Sequence, residues 1–187
     1  MKKWTIGVCT LEKRKKQFHS IFNKLMNQIK ENGYEEYIAI VTRPDNGEQT
    51  VGFKRNNILV ECAADYISFV DDDDNVSDDF IKTYFDLAQE NKDCIELWGR
   101  HQVDGEFCKI FKHSIIYKNW WEDDAFYYRC PNHLNLIKTE HAKKIGFGNI
   151  KYGEDSDFSK RLRDAGLLKT ESKCPKITYE YNFNSKK

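Results

Sequence analysis

The chain has 187 residues, and its 30 lysines and arginines are balanced by 30 aspartates and glutamates. This length predicts one domain, and a hydrophobic fraction of 40% with 14% aromatic residues excludes a disordered chain. Zero net charge gives no electrostatic reason to expect binding to nucleic acid.

Neither a membrane span nor a signal peptide is expected. The sequence has no run of about 18 apolar residues, the length that would cross a bilayer. Its basic opening is followed by EKRKK, where a signal peptide would carry small residues. The six cysteines include no CxxC pair, which favours reduced thiols over a disulfide framework or a zinc site. We therefore expect a cytoplasmic protein.

Strand and helix patterns alternate over the first hundred residues. In chain order, the predicted elements are a strand at 4–10, a helix around 18–29, a strand at 37–41, a helix at 52–63, a strand at 66–70, a helix capped by Ser77, and a strand at 94–98. Such alternation is typical of right-handed βαβ units. The predicted fold class is therefore α/β, with a mostly parallel central sheet flanked by helices.

The second half has a different pattern. Residues 105–137 are rich in aromatics and short apolar runs, which predicts antiparallel strands and an irregular loop. Two further helices are predicted at 139–146 and 155–166. Because nothing resembles a linker, we expect a single domain over residues 1–187.

Four consecutive aspartates at 71–74 directly follow the predicted strand at 66–70. In an open α/β sheet, ligands bind beyond the carboxyl ends of the strands. Adjacent carboxylates repel one another unless a cation neutralises them, and oxygen ligands suit Mg²⁺ or Mn²⁺. A calcium loop starting at Asp71 would need glycine and glutamate where Val76 and Lys82 stand. The pattern favours metal or ligand binding by Asp71 and Asp73 over a solvated turn.

Three segments occur in a characteristic order: GFKRNNILVECAADYISFVDDDDNV, PNHLNLIKTEHAKKIGF and YGEDSDFSKRL. With them, the chain resembles a nucleotide-sugar glycosyltransferase of the GT-A fold, closest to the family 2 type, over about residues 4–165. The resemblance implies a Rossmann-like nucleotide-binding half at about 1–100 and a smaller antiparallel acceptor-side half at about 101–187. It also implies inverting transfer from a UDP-sugar to a glycan or other hydroxyl acceptor, with Mn²⁺ or Mg²⁺ as cofactor.

On the donor side, the resemblance implies that Asp73 coordinates the metal and that Asp71 helps through the metal or the ribose. No histidine follows Gly166, where relatives often supply a further ligand. His133, water or the donor phosphates would then complete the coordination, although an ordinary buried histidine is the alternative for His133. The remaining residues implied for donor binding are Thr10, Arg14, Asp45, Arg55 and Asp72.

On the acceptor side, the resemblance implies that Asp155 is the general base and that Glu154 positions the acceptor. An acceptor hydroxyl is a poor nucleophile, so a carboxylate must take its proton during attack. Acidic residues in the first turn of a helix are also favoured by the helix dipole alone. Trp120 and Trp121 are a candidate platform for a sugar ring, and a small hydrophobic cluster is the alternative.

Three other functions remain open from the sequence. A haloacid-dehalogenase-type phosphatase also has Asp-x-Asp after a strand, but it continues with Thr or Val where Asn75 stands here. A sugar nucleotidyltransferase usually has a glycine-rich loop after its first strand, and TLEKRKK has no glycine. A non-catalytic carbohydrate-binding module on a degenerate transferase fold is the third.

Overall fold

A computed structural model describes residues 3–150 and 152–185. The helices in these residues are α1 (Lys15–Glu31), α2 (Val51–Glu61), α3 (Phe80–Ala88), α4 (Thr139–Ile145) and α5 (Glu154–Asp164), with a 3₁₀ turn at Glu12–Arg14. The strands are β1 (Trp4–Leu11), β2 (Ile38–Asp45), β3 (Tyr66–Phe69), β4 (Asn75–Val76), β5 (Cys94–Ile95), β6 (Leu97–Val103), β7 (Glu106–His113), β8 (Trp121–Glu122), β9 (Phe126–Arg129), β10 (Ile137–Lys138), β11 (Glu171–Ser172) and β12 (Ile177–Phe183). Among the described residues, no helix is long and apolar enough to cross a membrane.

The first sheet has the strand order β11-β5-β10-β3-β1-β2. Only β10 runs against its neighbours, so the predicted mostly parallel sheet is confirmed. Strand β1 is buried almost throughout because helices cover both faces of the sheet. Trp4, Ile6 and Val8 pack with α1 and α3, whereas Cys9 packs with α2, α4 and α5. The core is therefore a three-layer α/β arrangement.

The predicted strand at 94–98 is wrong as a single element. Residues Cys94–Ile95 form β5 in the first sheet, and the chain then enters the second sheet as β6. Glu96 lies at this crossing and is 6% exposed. Its carboxylate accepts a hydrogen bond from the Cys174 backbone N–H at 3.1 Å. A charged side chain thus marks the point at which one apolar run is divided between two sheets.

The second sheet has the order β4-β12-β6-β7-β9-β8. The β8–β9 pair is antiparallel, as expected for residues 105–137, but β7 pairs with β9 in parallel. Strand β7 is also antiparallel to β6, which precedes that range. Strand β12, which the sequence analysis did not predict, pairs with β6 in parallel and with β4 in antiparallel fashion. Each sheet therefore takes strands from both halves of the chain.

Two predicted boundaries are also wrong. Helix α3 begins at Phe80 rather than directly after Ser77, whose hydroxyl instead donates to the Asp79 carboxylate at 2.8 Å. Strand β2 continues past residue 41 to Asp45, because its pairing with β1 extends to the contact of Leu11 with Asp45. Asp45 is thus the last residue of a strand and not a loop residue. Local turn residues did not override the pairing with β1.

Candidate active site

A cavity of about 530 Å³ lies where the carboxyl end of the first sheet meets one face of the second. Its lining residues come from α2, the loop after β3, α5, the segment before β10, the second sheet and the residue directly before β8. They are Arg55, Asp71, His101, Phe111, His113, Trp120, Tyr127, Arg129, Asn132, His133, Leu134, Glu154, Asp155 and Tyr181. Residues far apart in sequence therefore converge at the edge where an α/β sheet normally binds ligands.

Asp71 is the aspartate of the acidic loop that lines this cavity. Its Oδ1 pairs with Arg55 Nη2 at 2.8 Å, and its Oδ2 lies 3.4 Å from His133 Nε2. Burial would raise the pKa of Asp71, but the charges of Arg55 and His133 outweigh it and hold that pKa well below its usual range. Asp71 is therefore an ionised carboxylate that the protein already partly neutralises.

Asp72 and Asp73 are joined by Arg14. Arg14 Nη1 lies 3.0 Å from Asp72 Oδ1, and Nη2 contacts Asp73 Oδ2. Asp72 is 2% exposed and accepts a hydrogen bond from the Thr10 hydroxyl at 2.6 Å. Burial raises the pKa of Asp72, although Thr10 and Arg14 oppose this shift. Two predicted donor-binding residues, Thr10 and Arg14, thus contact the acidic loop directly.

Asp74 attaches the acidic loop to the unpredicted strand β12. Its Oδ2 accepts from the Tyr179 hydroxyl at 2.8 Å, and its Oδ1 accepts from the Asn182 backbone N–H at 2.8 Å. The same Tyr179 hydroxyl accepts from the Asp71 backbone N–H at 3.2 Å. Burial raises the pKa of Asp74 well above its ordinary value. Asp74 therefore fixes the acidic loop against β12.

Asp45 lies apart from this cavity, at the end of β2. Its Oδ1 pairs with Lys54 Nζ at 2.7 Å, and the same ammonium donates to the Thr10 carbonyl at 2.8 Å. Burial would raise the pKa of Asp45, but the Lys54 hydrogen bond and the Gln49 N–H outweigh it and lower that pKa. A smaller cavity of about 130 Å³, lined by Thr10, Phe18 and their neighbours, opens beside these residues.

Arg55 connects the two acidic parts of the cavity. Its Nη1 pairs with Glu154 Oε1 at 2.5 Å while its Nη2 pairs with Asp71. The guanidinium also lies near the rings of Phe69 and Phe147, 5.6 and 5.7 Å from their centroids. Burial raises the pKa of Glu154, and the Arg55 charge opposes that shift. Arg55 thereby ties α2, the acidic loop and α5 together.

Asp155 differs from the other carboxylates of the cavity. It is half-buried in the first turn of α5 and lines the cavity. Within residues 3–150 and 152–185, no side chain or backbone group forms an ion pair or hydrogen bond with its carboxylate. Asp157, two residues later in the same turn, instead pairs with Arg161 at 2.6 Å and lies outside the cavity lining. Asp155 is therefore available to a bound molecule.

One face of the second sheet forms the opposite wall. Phe111 and His113 alternate along β7, and Tyr127 and Arg129 lie beside them on β9. Burial lowers the pKa of His113 to about 3, so this imidazole is neutral. None of these four residues was predicted from the sequence to belong to the site. The two-residue alternation in IFKH and FYYR was the signal that could have identified them.

The two candidate tryptophans have different surroundings. Trp120 lines the cavity, and its ring lies 5.0 Å from the Arg129 guanidinium carbon. Trp121 is not in the cavity lining; it stacks on Tyr128 with ring centroids 3.9 Å apart. Only Trp120 is therefore placed to contact a molecule in the cavity.

The three predicted metal ligands do not form one cluster. Among the described residues, no group of three or more His, Cys, Asp or Glu side chains is arranged to hold a metal ion. His133 lies beside Asp71, and its buried Nδ1 has no hydrogen-bond partner among these residues, whereas Asp73 contacts Arg14. Arg14 and Arg55 place positive charge beside the acidic loop.

No protein-family profile and no curated protein sequence matches this chain. Several solved structures, however, are similar to it. S. aureus TarS residues 1–349 align with 17% identity and a TM-score of 0.66, covering 96% of this chain and 60% of that one. The corresponding TarS complex with UDP-GlcNAc aligns with 16% identity and a TM-score of 0.64, covering 96% and 58%.

A galactosyltransferase domain also has a similar structure. The catalytic domain of Drosophila beta1,4-galactosyltransferase 7, in complex with xylobiose, aligns with 18% identity and a TM-score of 0.57, covering 94% of this chain and 67% of that one. The chain spans about three fifths of the length of the TarS fragment. At these identities the similarity concerns the fold, which agrees with the topology described above. The chain has the GT-A fold of nucleotide-sugar glycosyltransferases.

Proposed function

We propose that this chain is a glycosyltransferase that moves a sugar from a UDP-sugar to a hydroxyl group of a glycan or similar acceptor. The observation that carries the proposal is the carboxylate of Asp155, which has no protein partner among the described residues and lies in the cavity that Asp71 and Arg55 also line. A nucleotide-sugar donor is supported by the crystal structures of TarS with UDP-GlcNAc and with UDP. A glycan acceptor is supported by the structure of galactosyltransferase 7 with xylobiose.

In this reaction, Asp155 is the general base. Its carboxylate takes the proton of the acceptor hydroxyl while the hydroxyl oxygen attacks the anomeric carbon. The bond between that carbon and the diphosphate oxygen breaks, and the nucleoside diphosphate leaves. One displacement of this kind inverts the anomeric centre. Glu154, whose carboxylate pairs with Arg55, is a positioning residue for the acceptor rather than a second base.

The donor is assigned to the end of the first sheet. Thr10 lines the smaller cavity there and is the candidate contact for the nucleoside. Asp45 pairs with Lys54, which also binds the Thr10 carbonyl. Arg14 and Arg55 carry positive charge next to the acidic loop and are the candidate contacts for the diphosphate. Asp72 is buried and hydrogen-bonded to Thr10, so its proposed role is to orient this group.

Mn²⁺ or Mg²⁺ is proposed as the cofactor, because carboxylate oxygens at the end of a strand suit a hard divalent ion. The candidate ligands are Asp73 and Asp71, with His133, and the donor diphosphate would supply further oxygens. A bound ion of this kind offsets negative charge on a leaving diphosphate. Since Asp73 Oδ2 contacts Arg14, a bound ion would share this carboxylate with Arg14 or displace it.

The first test is Asp155→Asn, with Asp157→Asn as its matched control. Both changes remove one negative charge from the same helical turn, but only Asp155 lines the cavity. We expect Asp155→Asn to keep UDP affinity and to lose about 10²- to 10⁴-fold in turnover of a UDP-sugar, the usual contribution of a general base. Equal turnover in the two variants would show that Asp155 is not the base. A carbohydrate-binding module would show no turnover in the wild type.

The second test is calorimetric titration of UDP, GDP and dTDP, each with Mn²⁺ and with a chelator. We expect saturable UDP binding that the chelator weakens and that Asp73→Ala weakens to the same degree. UDP affinity that is unchanged by both treatments would remove the metal from the proposal and leave the transferase intact. No binding of any nucleotide would contradict the proposed donor class.

A further inference from the structure

Arg129 is a cation without a protein counterion in the wall of the main cavity. It is the last residue of β9, and no carboxylate within residues 3–150 and 152–185 forms an ion pair with it. The carboxylate of Glu122, which influences it electrostatically, pairs with Lys109 instead. Apart from Arg100, every other arginine in the described part of the chain pairs with a carboxylate: Arg14, Arg43, Arg55, Arg161 and Arg163.

The guanidinium is fixed in place but keeps free donors. Its Nη1 donates to the backbone carbonyls of Trp121 at 2.9 Å and Tyr128 at 3.0 Å. The rings of Trp120 and Tyr127 each lie 5.0 Å from its central carbon, which favours one orientation of the planar group. No described protein group accepts a hydrogen bond from Nε or Nη2. The donors that remain match the two oxygens of a phosphate or carboxylate.

Burial makes this arrangement unfavourable without an anion. Partial desolvation lowers the pKa of Arg129, so the charged form is less stable there than in water. A neutral sugar hydroxyl would fill the hydrogen-bonding positions but leave the charge uncompensated. Two carboxylates of the cavity lining, Asp71 and Glu154, pair with Arg55. The third, Asp155, forms no ion pair with Arg129 in the described part of the chain and is the proposed base.

We propose that Arg129 is a specificity residue that binds an anionic group, phosphate or carboxylate, of the acceptor. The inference rests on the proposed transferase function, in which Asp155 lines the same cavity and activates the acceptor hydroxyl. The acceptor is assigned rather than the donor because Arg129 belongs to the second sheet. The donor diphosphate has its own arginines, Arg14 and Arg55, at the end of the first sheet.

The test compares glucose 6-phosphate with glucose as probes, titrated by calorimetry into protein with and without saturating UDP. Arg129→Met is compared with Arg100→Met, which removes the same charge from an exposed position on β6 outside the cavity lining. We expect the wild type to bind the phosphorylated probe at least about tenfold more tightly than glucose, as charge-assisted hydrogen bonds do. This preference should disappear in Arg129→Met and persist in Arg100→Met.

Three results would overturn the inference: no preference for the phosphorylated probe, equal losses in the two variants, or an equal loss of UDP affinity in Arg129→Met. The last would assign the anion to the donor. If Arg129→Met does not fold, Arg129→Lys replaces it; an intermediate loss supports the proposal, and wild-type affinity contradicts the bidentate contact. A phosphate preference that depends on Arg129 without any UDP binding would support the anion site and contradict the transferase.

Discussion

Replacing Arg55 by methionine tests how the charges of the cavity are balanced. The Arg55 side chain is 3% exposed and pairs with Asp71 at 2.8 Å and Glu154 at 2.5 Å. Methionine keeps much of the aliphatic volume but leaves Glu154 without its ion-pair partner and Asp71 with only His133 beside it. Removing one partner of a buried ion pair costs about 3–5 kcal/mol, a large part of the roughly 5–15 kcal/mol that stabilises a domain. We expect a loss of about 3–5 kcal/mol in the free energy of unfolding at pH 7.

The loss should depend on pH. In the wild type, the depressed pKa of Asp71 means that its ion pairs stabilise the fold above the unfolded pKa of about 3.9. That stabilisation is lost as the pH falls through the lower pKa of the folded state. In Arg55→Met, burial raises the pKa of Asp71 with less opposition, so the carboxyl can take up a proton under mildly acidic conditions. The deficit should therefore be smaller at pH 5 than at pH 7.

Urea unfolding at both pH values measures this difference. Arg43→Met is the matched control, because Arg43 pairs with Glu61, whose side chain is 63% exposed. An exposed pair of this kind contributes at most about 1 kcal/mol. Adding Glu154→Gln to Arg55→Met should recover part of the loss, since one uncompensated charge is removed. An Arg55→Met cost no larger than that of Arg43→Met, or identical at both pH values, would refute the reasoning.

Two further substitutions test the frame of the site by urea unfolding. Tyr179→Phe removes the hydroxyl that donates to the buried Asp74 carboxylate, and we expect it to cost about 1–3 kcal/mol, less at low pH where that carboxyl is protonated. Gly52→Ala places a Cβ 2.0 Å from the Gly148 carbonyl oxygen, so α2 must move away from the segment that leads to α5, at a cost of about 1–3 kcal/mol. A cost below about 0.5 kcal/mol, the usual range of neutral surface changes, would contradict either expectation.

Local patterns in the sequence were sufficient for most of the first half of the fold. The strand at 66–70 corresponds to β3, and the acidic loop follows it at the edge of the sheet. The helices predicted at 52–63 and 139–146 correspond to α2 and α4 within two residues. These elements are set by hydrophobic periodicity and by residues that end a helix or strand, which act within a few positions of the chain.

Part of the site could also be predicted from the sequence. Of the residues selected for donor, metal, acceptor or catalytic roles, one group lines the main cavity together: Arg55, Asp71, Trp120, His133, Glu154 and Asp155. Carboxylates that follow a buried strand or begin a helix indicate such a site by position alone. Their roles stay predictions that the proposed experiments test.

Tertiary structure decided the partners of these residues. Arg55 and Glu154 are 99 positions apart, and Tyr179 and Asp74 are 105 apart, yet these contacts determine which carboxylates are neutralised and which one is available. Strand β12 likewise lies beside β6 only through pairing over a long sequence distance. Arg129 is part of the cavity wall only because β9 pairs with β7. Strand pairing and burial are properties of the whole chain, so local patterns can supply the charged groups but not their counterions.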